Sequence, residues 1–221
     1  MNEMNFALAR HNMVEQQVRT WTVLDKAVLD TMENFPRENF VPEQYRRMAY
    51  ADIAIPLDHG QEMMYPKLEA HLLQAVSVKP SDKILEIGTG SGCMTAMLAT
   101  LGKHVDSVDI FPDFQKSAME KLKAAGLDKK VTMIEGDAAK GWGNKDEYDV
   151  IVITGSLPEL PQQYIDALAV DGRLFAVVGE DQTMEAISIH RTHGDRWEEK
   201  SLFETELPVL IGASKPPEFE F

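Results

Sequence analysis

Hydrophobic positions along the chain change their period near residue 80. Before that point they recur at helical spacing, and after it they come as short apolar runs separated by turns. Val23, Leu24, Ala27, Val28 and Met32 repeat every three to four residues and predict one face of a helix. Thr22 with Asp25 three residues on forms a capping box at its start, and Pro36 stops it. Leu68, Leu72, Leu73 and Val76 predict a second helix opened by Pro66, and Pro42 has a similar first-turn setting. Pro80 and Ser81 mark a turn. Strand-like runs follow at 83–88, 104–109, 130–135, 148–154 and 172–178, with helical patterns between most of them, residues 93–101 among these. Such alternation predicts an α/β fold with a mainly parallel, doubly wound sheet covered on both faces. After Gly179 the pattern turns polar-alternating at 186–192 and 200–210, which predicts an antiparallel pair closing one sheet edge. Residues 144–147 read as a charged surface turn, and the Pro216-Pro217-Glu218 tail as a mobile end.

Composition narrows the class. The chain has 221 residues, 44% of them hydrophobic, which suits one α/β domain with an appendage. No run approaches the ~18 apolar residues of a membrane span, so no membrane partner is expected. Residues 1–13 lack the basic-then-apolar signature of a secretory signal, and a cytoplasmic location is the expectation. The single cysteine, Cys93, excludes an internal disulfide and a multi-cysteine metal site, and no metal is expected. A small cysteine of this kind is read as packing rather than redox chemistry. A formal net charge of −14 argues against a nucleic-acid partner, since phosphate binding needs basic surface.

The chemistry starts at Glu86-Ile87-Gly88-Thr89-Gly90-Ser91-Gly92, where the first apolar strand runs into a glycine loop and a helix. A strand–loop–helix unit lets a nucleotide-like ligand lie against bare backbone at a helix N-terminus. The dinucleotide fingerprint wants G-x-G-x-x-G, but here Cys93 takes the place of its third glycine. Glu86, just ahead of the loop, is placed to reach a ligand ammonium or hydroxyl. Asp109 ends the second strand seventeen positions after Gly92, where a carboxylate receives ribose hydroxyls. Gly136-Asp137 follows the third strand and Thr154 ends the fourth. His59 reads as a turn residue, and His190 and His193 as structural or exposed.

The acid-x-Gly-x-Gly-x-Gly pattern resembles motif I of the class I S-adenosylmethionine-dependent methyltransferases. A sharper resemblance is carried by Glu38-Asn39-Phe40-Val41-Pro42, Ala49-Tyr50-Ala51-Asp52, Ile55-Pro56 and His59-Gly60-Gln61. Residues 149–154, Pro158-Glu159-Leu160-Pro161 and residues 168–174 continue it. Together these elements resemble the protein-L-isoaspartate O-methyltransferases. The resemblance implies a Rossmann-like methyltransferase fold, with residues 1–80 a helical extension covering the active site and 81–221 the cofactor-binding domain. It implies S-adenosylmethionine as cofactor, held by Gln61, Met63, Met64, Glu86, Gly88, Thr89, Gly90, Ser91, Gly92, Asp109, Ile110, Asp137, Ala138 and Thr154. It also implies methylation of the isoaspartyl carboxylate of damaged peptides or proteins, the ester then closing to a succinimide.

One loop departs from that family. Where the family carries Thr-Ile-Ser, this chain has Glu62-Met63-Met64, so the family's active-site serine falls on Met64. A lost hydrogen bond to a charged group of about 1.5–3 kcal/mol is worth roughly ten- to hundredfold in rate. Glu62 adds a negative charge where a negative acceptor would enter. Ala138 stands where the family usually has glycine. Three readings stay open: an isoaspartyl methyltransferase with a modified acceptor loop, a derived methyltransferase with a more apolar small-molecule or peptide acceptor, and a non-catalytic S-adenosylmethionine-binding protein.

Overall fold

A computed structural model of the chain describes residues 4–180, 183–193 and 196–213; the Pro216-Pro217-Glu218 tail lies outside them. The first third is helical. Helix α1 (Phe6–Met13) runs on through a π turn at Val14–Val18, and α2 (Lys26–Asn34) follows. Asp25, not Thr22, caps α2, its side chain accepting from the Val28 N–H at 3.0 Å. Thr22 instead sits at φ 61° as the left-handed end of the preceding turn, so the predicted capping box does not form. Leu24, expected on the buried face, falls before the helix and is 72% exposed. Two short strands, β1 (Ile55–Pro56) and β2 (Glu62–Met63), pair antiparallel around a turn at Asp58–Gly60. Helix α3 (Pro66–Val76) starts on Pro66 as expected and buries Leu68, Leu72, Leu73 and Val76.

The sheet strands are β3 (Lys83–Ile87), β4 (His104–Asp109), β5 (Val131–Glu135), β6 (Tyr148–Leu157), β7 (Leu168–Val178), β8 (Glu185–Arg191) and β9 (Trp197–Glu204). Their order is β5-β4-β3-β6-β7-β8-β9, parallel from β5 through β7 and antiparallel for β8 and β9. Ile84, Leu85 and Ile87 are buried on opposite faces of β3, so its apolar run is continuous rather than alternating. Helices α4 (Cys93–Leu101), α5 (Pro112–Ala124) and α6 (Gln162–Ala167) cover the sheet. α4 is buried nearly all round, and its small residues Cys93, Ala96 and Ala99 allow that. α1, α2, α3 and α4 share one hydrophobic core, and Leu85, Ile87, Ile151, Ile153 and Leu174 form a second on the other face.

The last expected strand ends early. β9 stops at Glu204, and residues 205–213 instead cross the end of β6 as a strap. Pro208 has no N–H for a ladder, but its carbonyl accepts from Ser156 N and the Ser156 carbonyl accepts from Leu210 N, both at 2.9 Å. Residues 144–147 form a turn closed by Asn144 N donating to Glu147 Oε2 at 2.8 Å.

Candidate active site

Strand order reverses direction between β3 and β6, and open α/β sheets bind ligands at the carboxyl ends of strands there. Gly88, Gly90 and Gly92 lead from β3 into α4 at φ 93, 49 and 81°, left-handed backbone that favours glycine. Their tasks differ. A Cβ on Gly88 would strike the Thr154 hydroxyl, which donates to the Ile87 and Gly88 carbonyls at 2.9 Å. A Cβ on Gly92 would lie 2.7 Å from the Ala118 Cβ, so this glycine seats α4 against α5. Gly88 and Gly90 border the crevice and the recess that continues from it.

Three side chains expected as ligand contacts line the crevice at strand ends: Asp109, Asp137 and Thr154. Asp109 Oδ2 accepts from Gly90 N and Oδ1 from Phe111 N, each at 2.9 Å, so the carboxylate is aimed by the glycine loop itself. Burial raises the Asp109 pKa above the ordinary carboxylate value, and these N–H bonds act against that rise. Asp137 Oδ1 accepts from Ala139 N at 3.0 Å. Ile110, Ala138, Leu210 and Ile211 add apolar lining to the same crevice. Gln61 also lines this crevice, and His59 next to it stacks on Phe111 with ring centroids 4.0 Å apart. His59 Nε2 sits 2.8 Å from Asp113 Oδ2, and the residue adopts φ 57°, the turn role expected of it.

A narrower recess continues from the crevice, bounded by Glu62, Met63, Met64, Glu69, Thr89, Ser91 and Cys93. Glu62 borders the crevice, the recess and an outer cleft that also carries Glu180, Thr183 and Glu206. It is the exposed member of its loop, while Met63 and Met64 are 5% and 6% exposed and belong to the main core. Cys93 is buried, and burial pushes its thiol well above the usual range, which leaves it unreactive.

Glu86 does not reach the crevice. Its side chain is 0% exposed and points into the layer between β3, β4 and α4. Thr95 Oγ1 and Ser107 Oγ donate to Glu86 Oε2 at 2.5 and 2.6 Å, and Thr89 Oγ1 lies 2.6 Å from the same serine oxygen. Oε1 has no partner among the described residues, and burial raises the carboxyl to about 8. Alternation explains the correction: in β3, Glu86 shares the face of Ile84, which looks into the core.

Sequence reasoning passed over Leu57, Phe111 and Phe114, which also line the crevice, and Leu210 and Ile211, brought there by the strap. It also passed over Glu69 in the recess and its buried partner Arg37.

Residues 8–209 match the family model of protein-L-isoaspartate(D-aspartate) O-methyltransferase. A protein-L-isoaspartate O-methyltransferase of Gloeobacter violaceus is 40% identical over 192 residues, covering 86% of this chain and 92% of the relative. One from Rhodopseudomonas palustris is 35% identical over 219 residues, covering 97% of this chain and 89% of the relative. In fold, the chain matches a Plasmodium falciparum structure described as a protein-L-isoaspartate O-methyltransferase in complex with S-adenosyl-L-homocysteine. The TM-score is 0.76 at 22% identity, covering 94% of this chain and 99% of that one.

Proposed function

The chain belongs to the protein-L-isoaspartate(D-aspartate) O-methyltransferase family, and from that membership we propose that it methylates isoaspartyl carboxylates in proteins with S-adenosylmethionine. The observation that carries the reading is the junction at Glu62, where a crevice lined by Asp109, Asp137 and apolar side chains meets a recess and an outer cleft.

The donor set fits the cofactor. Asp109 has acceptor capacity left for two ribose hydroxyls after its bonds to Gly90 and Phe111. Asp137 lines the same crevice and would accept from an exocyclic amine, with Ile110, Ala138 and Leu210 as apolar lining for a base. Thr89, Gly90, Met63 and Met64 border the recess where the amino-acid portion and its sulfonium would sit. When bound, S-adenosylmethionine supplies an electrophilic methyl group. The protein's own work is modest, because a carboxylate is already ionised at pH 7 and needs no strong base. It must hold the acceptor oxygen in line, roughly 3 Å from the methyl carbon, and keep water out. Met64 offers no hydroxyl for that task, and its side chain is packed in the core rather than turned to the outer cleft.

The absence of a hydroxyl at Met64, together with the exposed Glu62 carboxylate, favours a second reading, a methyltransferase whose acceptor is another small molecule or peptide. One experiment separates the two. An isoaspartyl peptide incubated with the protein and S-adenosylmethionine should gain one methyl group, removable by mild base. A wild type that binds S-adenosylhomocysteine in calorimetry yet leaves the peptide unmodified would refute the isoaspartyl reading and support the second.

A further inference from the structure

Arg37 is 2% exposed and lies outside the crevice, yet its guanidinium reaches four acceptors on three separate segments. Nε donates to Glu69 Oε2 at 3.0 Å and Nη2 to Glu69 Oε1 at 3.2 Å. Nη1 donates to the Ala49 carbonyl at 2.8 Å, and Nη2 also donates to the Met64 carbonyl at 2.5 Å. Glu69, 2% exposed in the first turn of α3, turns its carboxylate along the floor of the recess.

A buried pair of this kind is a poor device for stability alone, because desolvation cancels much of the attraction and apolar residues of equal volume often serve as well. What an apolar pair lacks is a grip on main-chain oxygens. The planar guanidinium fixes two directions at once, and here one is the bidentate carboxylate and the other a pair of carbonyls. The Met64 carbonyl is one of them, and Met64 belongs to the loop that faces the glycine turn across the recess. The grip is on backbone, so it works whatever side chain occupies position 64.

We propose that Arg37 and Glu69 are positioning residues that set the height of the Glu62–Met63–Met64 loop over the Gly88–Gly90 turn, in place of a side-chain contact at residue 64. The inference rests on the methyl-transfer reading for its rate arm only. Both Glu69 carboxylate oxygens are taken by Arg37, so the pair acts through the Met64 main chain. A loop held loosely would leave the acceptor away from the in-line approach more often, which lowers kcat while leaving the fold intact.

The test uses the full chain with Arg37→Met and Glu69→Leu combined, because removing both charges leaves no unpaired ion in the core. Amide exchange is measured at Met63, Met64 and Tyr65, together with S-adenosylhomocysteine affinity and single-turnover methyl transfer to an isoaspartyl peptide. Positioning predicts a cooperative melting transition, exchange at those amides at least tenfold faster but unchanged in β3 and β6, and kcat at least tenfold lower with peptide KM within threefold. Exchange and kcat both within twofold of wild type would overturn the proposal. Should the wild type transfer no methyl group to the peptide, the functional reading fails and the exchange arm still decides the positioning role. Should the double variant not fold, Arg37→Lys keeps the charge but not the fork, and the same readouts should move about threefold. No movement in that variant counts against the proposal.

Discussion

Asp109 and Glu86 show how far a single residue is legible. Asp109 ends a strand, so its place at the ligand crevice follows from spacing alone, and the structure adds that Gly90 and Phe111 N–H groups aim it. Asp109→Ala should weaken S-adenosylhomocysteine binding by about 1–3 kcal/mol, read by calorimetry, and an unchanged affinity would remove the ribose contact from the account. Glu86 sits two residues ahead of the glycines and was expected at the ligand, but strand alternation turns it into the core. Its pH behaviour follows. Burial raises the folded-state pKa to about 8 from an ordinary 4.5, so the folded chain keeps a proton that the unfolded chain releases in that window. Stability contributed by this group therefore falls as pH rises from about 4.5 to about 8 and levels off above. Glu86→Gln removes that component, and its melting temperature relative to wild type should climb across the window. A difference that stays constant with pH would show the carboxyl to be ionised in the fold. Arg37 and Glu69 were not legible at all, since one guanidinium joins positions 37, 49, 64 and 69 only after folding.

At the scale of elements, the Gly loop, α4 and the mainly parallel sheet with its antiparallel edge were readable from period and punctuation, while the two closing pieces were not. The Glu62–Met63–Met64 loop carries its charge outward and its methionines inward. Glu62→Thr should therefore raise kcat/KM on an anionic isoaspartyl peptide without a packing penalty. The wild type should gain from added salt and the variant much less, because screening weakens the like-charge contact. Equal salt response in both would mean that Glu62 does not face the acceptor. The strap at residues 205–213 was expected as the tail of an edge strand, and Pro208 with the two bonds to Ser156 redirects it over the crevice. Gly155 permits that crossing: a Cβ there would lie 2.7 Å from Leu210 Cδ2 and 3.1 Å from the Pro208 carbonyl. Gly155→Ala should push the strap outward and weaken S-adenosylhomocysteine about tenfold, with the far-ultraviolet circular dichroism unchanged. Unaltered affinity would mean that Leu210 and Ile211 are not part of the cofactor wall.

The molecule as a whole joins two apolar clusters across one sheet and brings Asp109, Asp137 and Thr154 to one crevice beside the carboxyl ends of the parallel strands. That crevice was foreseeable because acids follow successive strands, but the helical first third had to fold over it before the recess existed. Among the described residues no helix is long and apolar enough to cross a membrane. The net charge of −14 spreads over a surface that must still admit a carboxylate, so discrimination has to come from geometry rather than from attraction. On the proposed function, the crevice and recess together present an isoaspartyl carboxylate to a methyl donor. The most direct test is the initial rate of methyl transfer to an isoaspartyl peptide against the same peptide with normal aspartate. Transfer to the isoaspartyl form should be at least a hundredfold faster, and slower in Asp109→Ala at low cofactor concentration in proportion to the lost affinity. Equal rates on both peptides, or none on either with cofactor bound, would contradict that function.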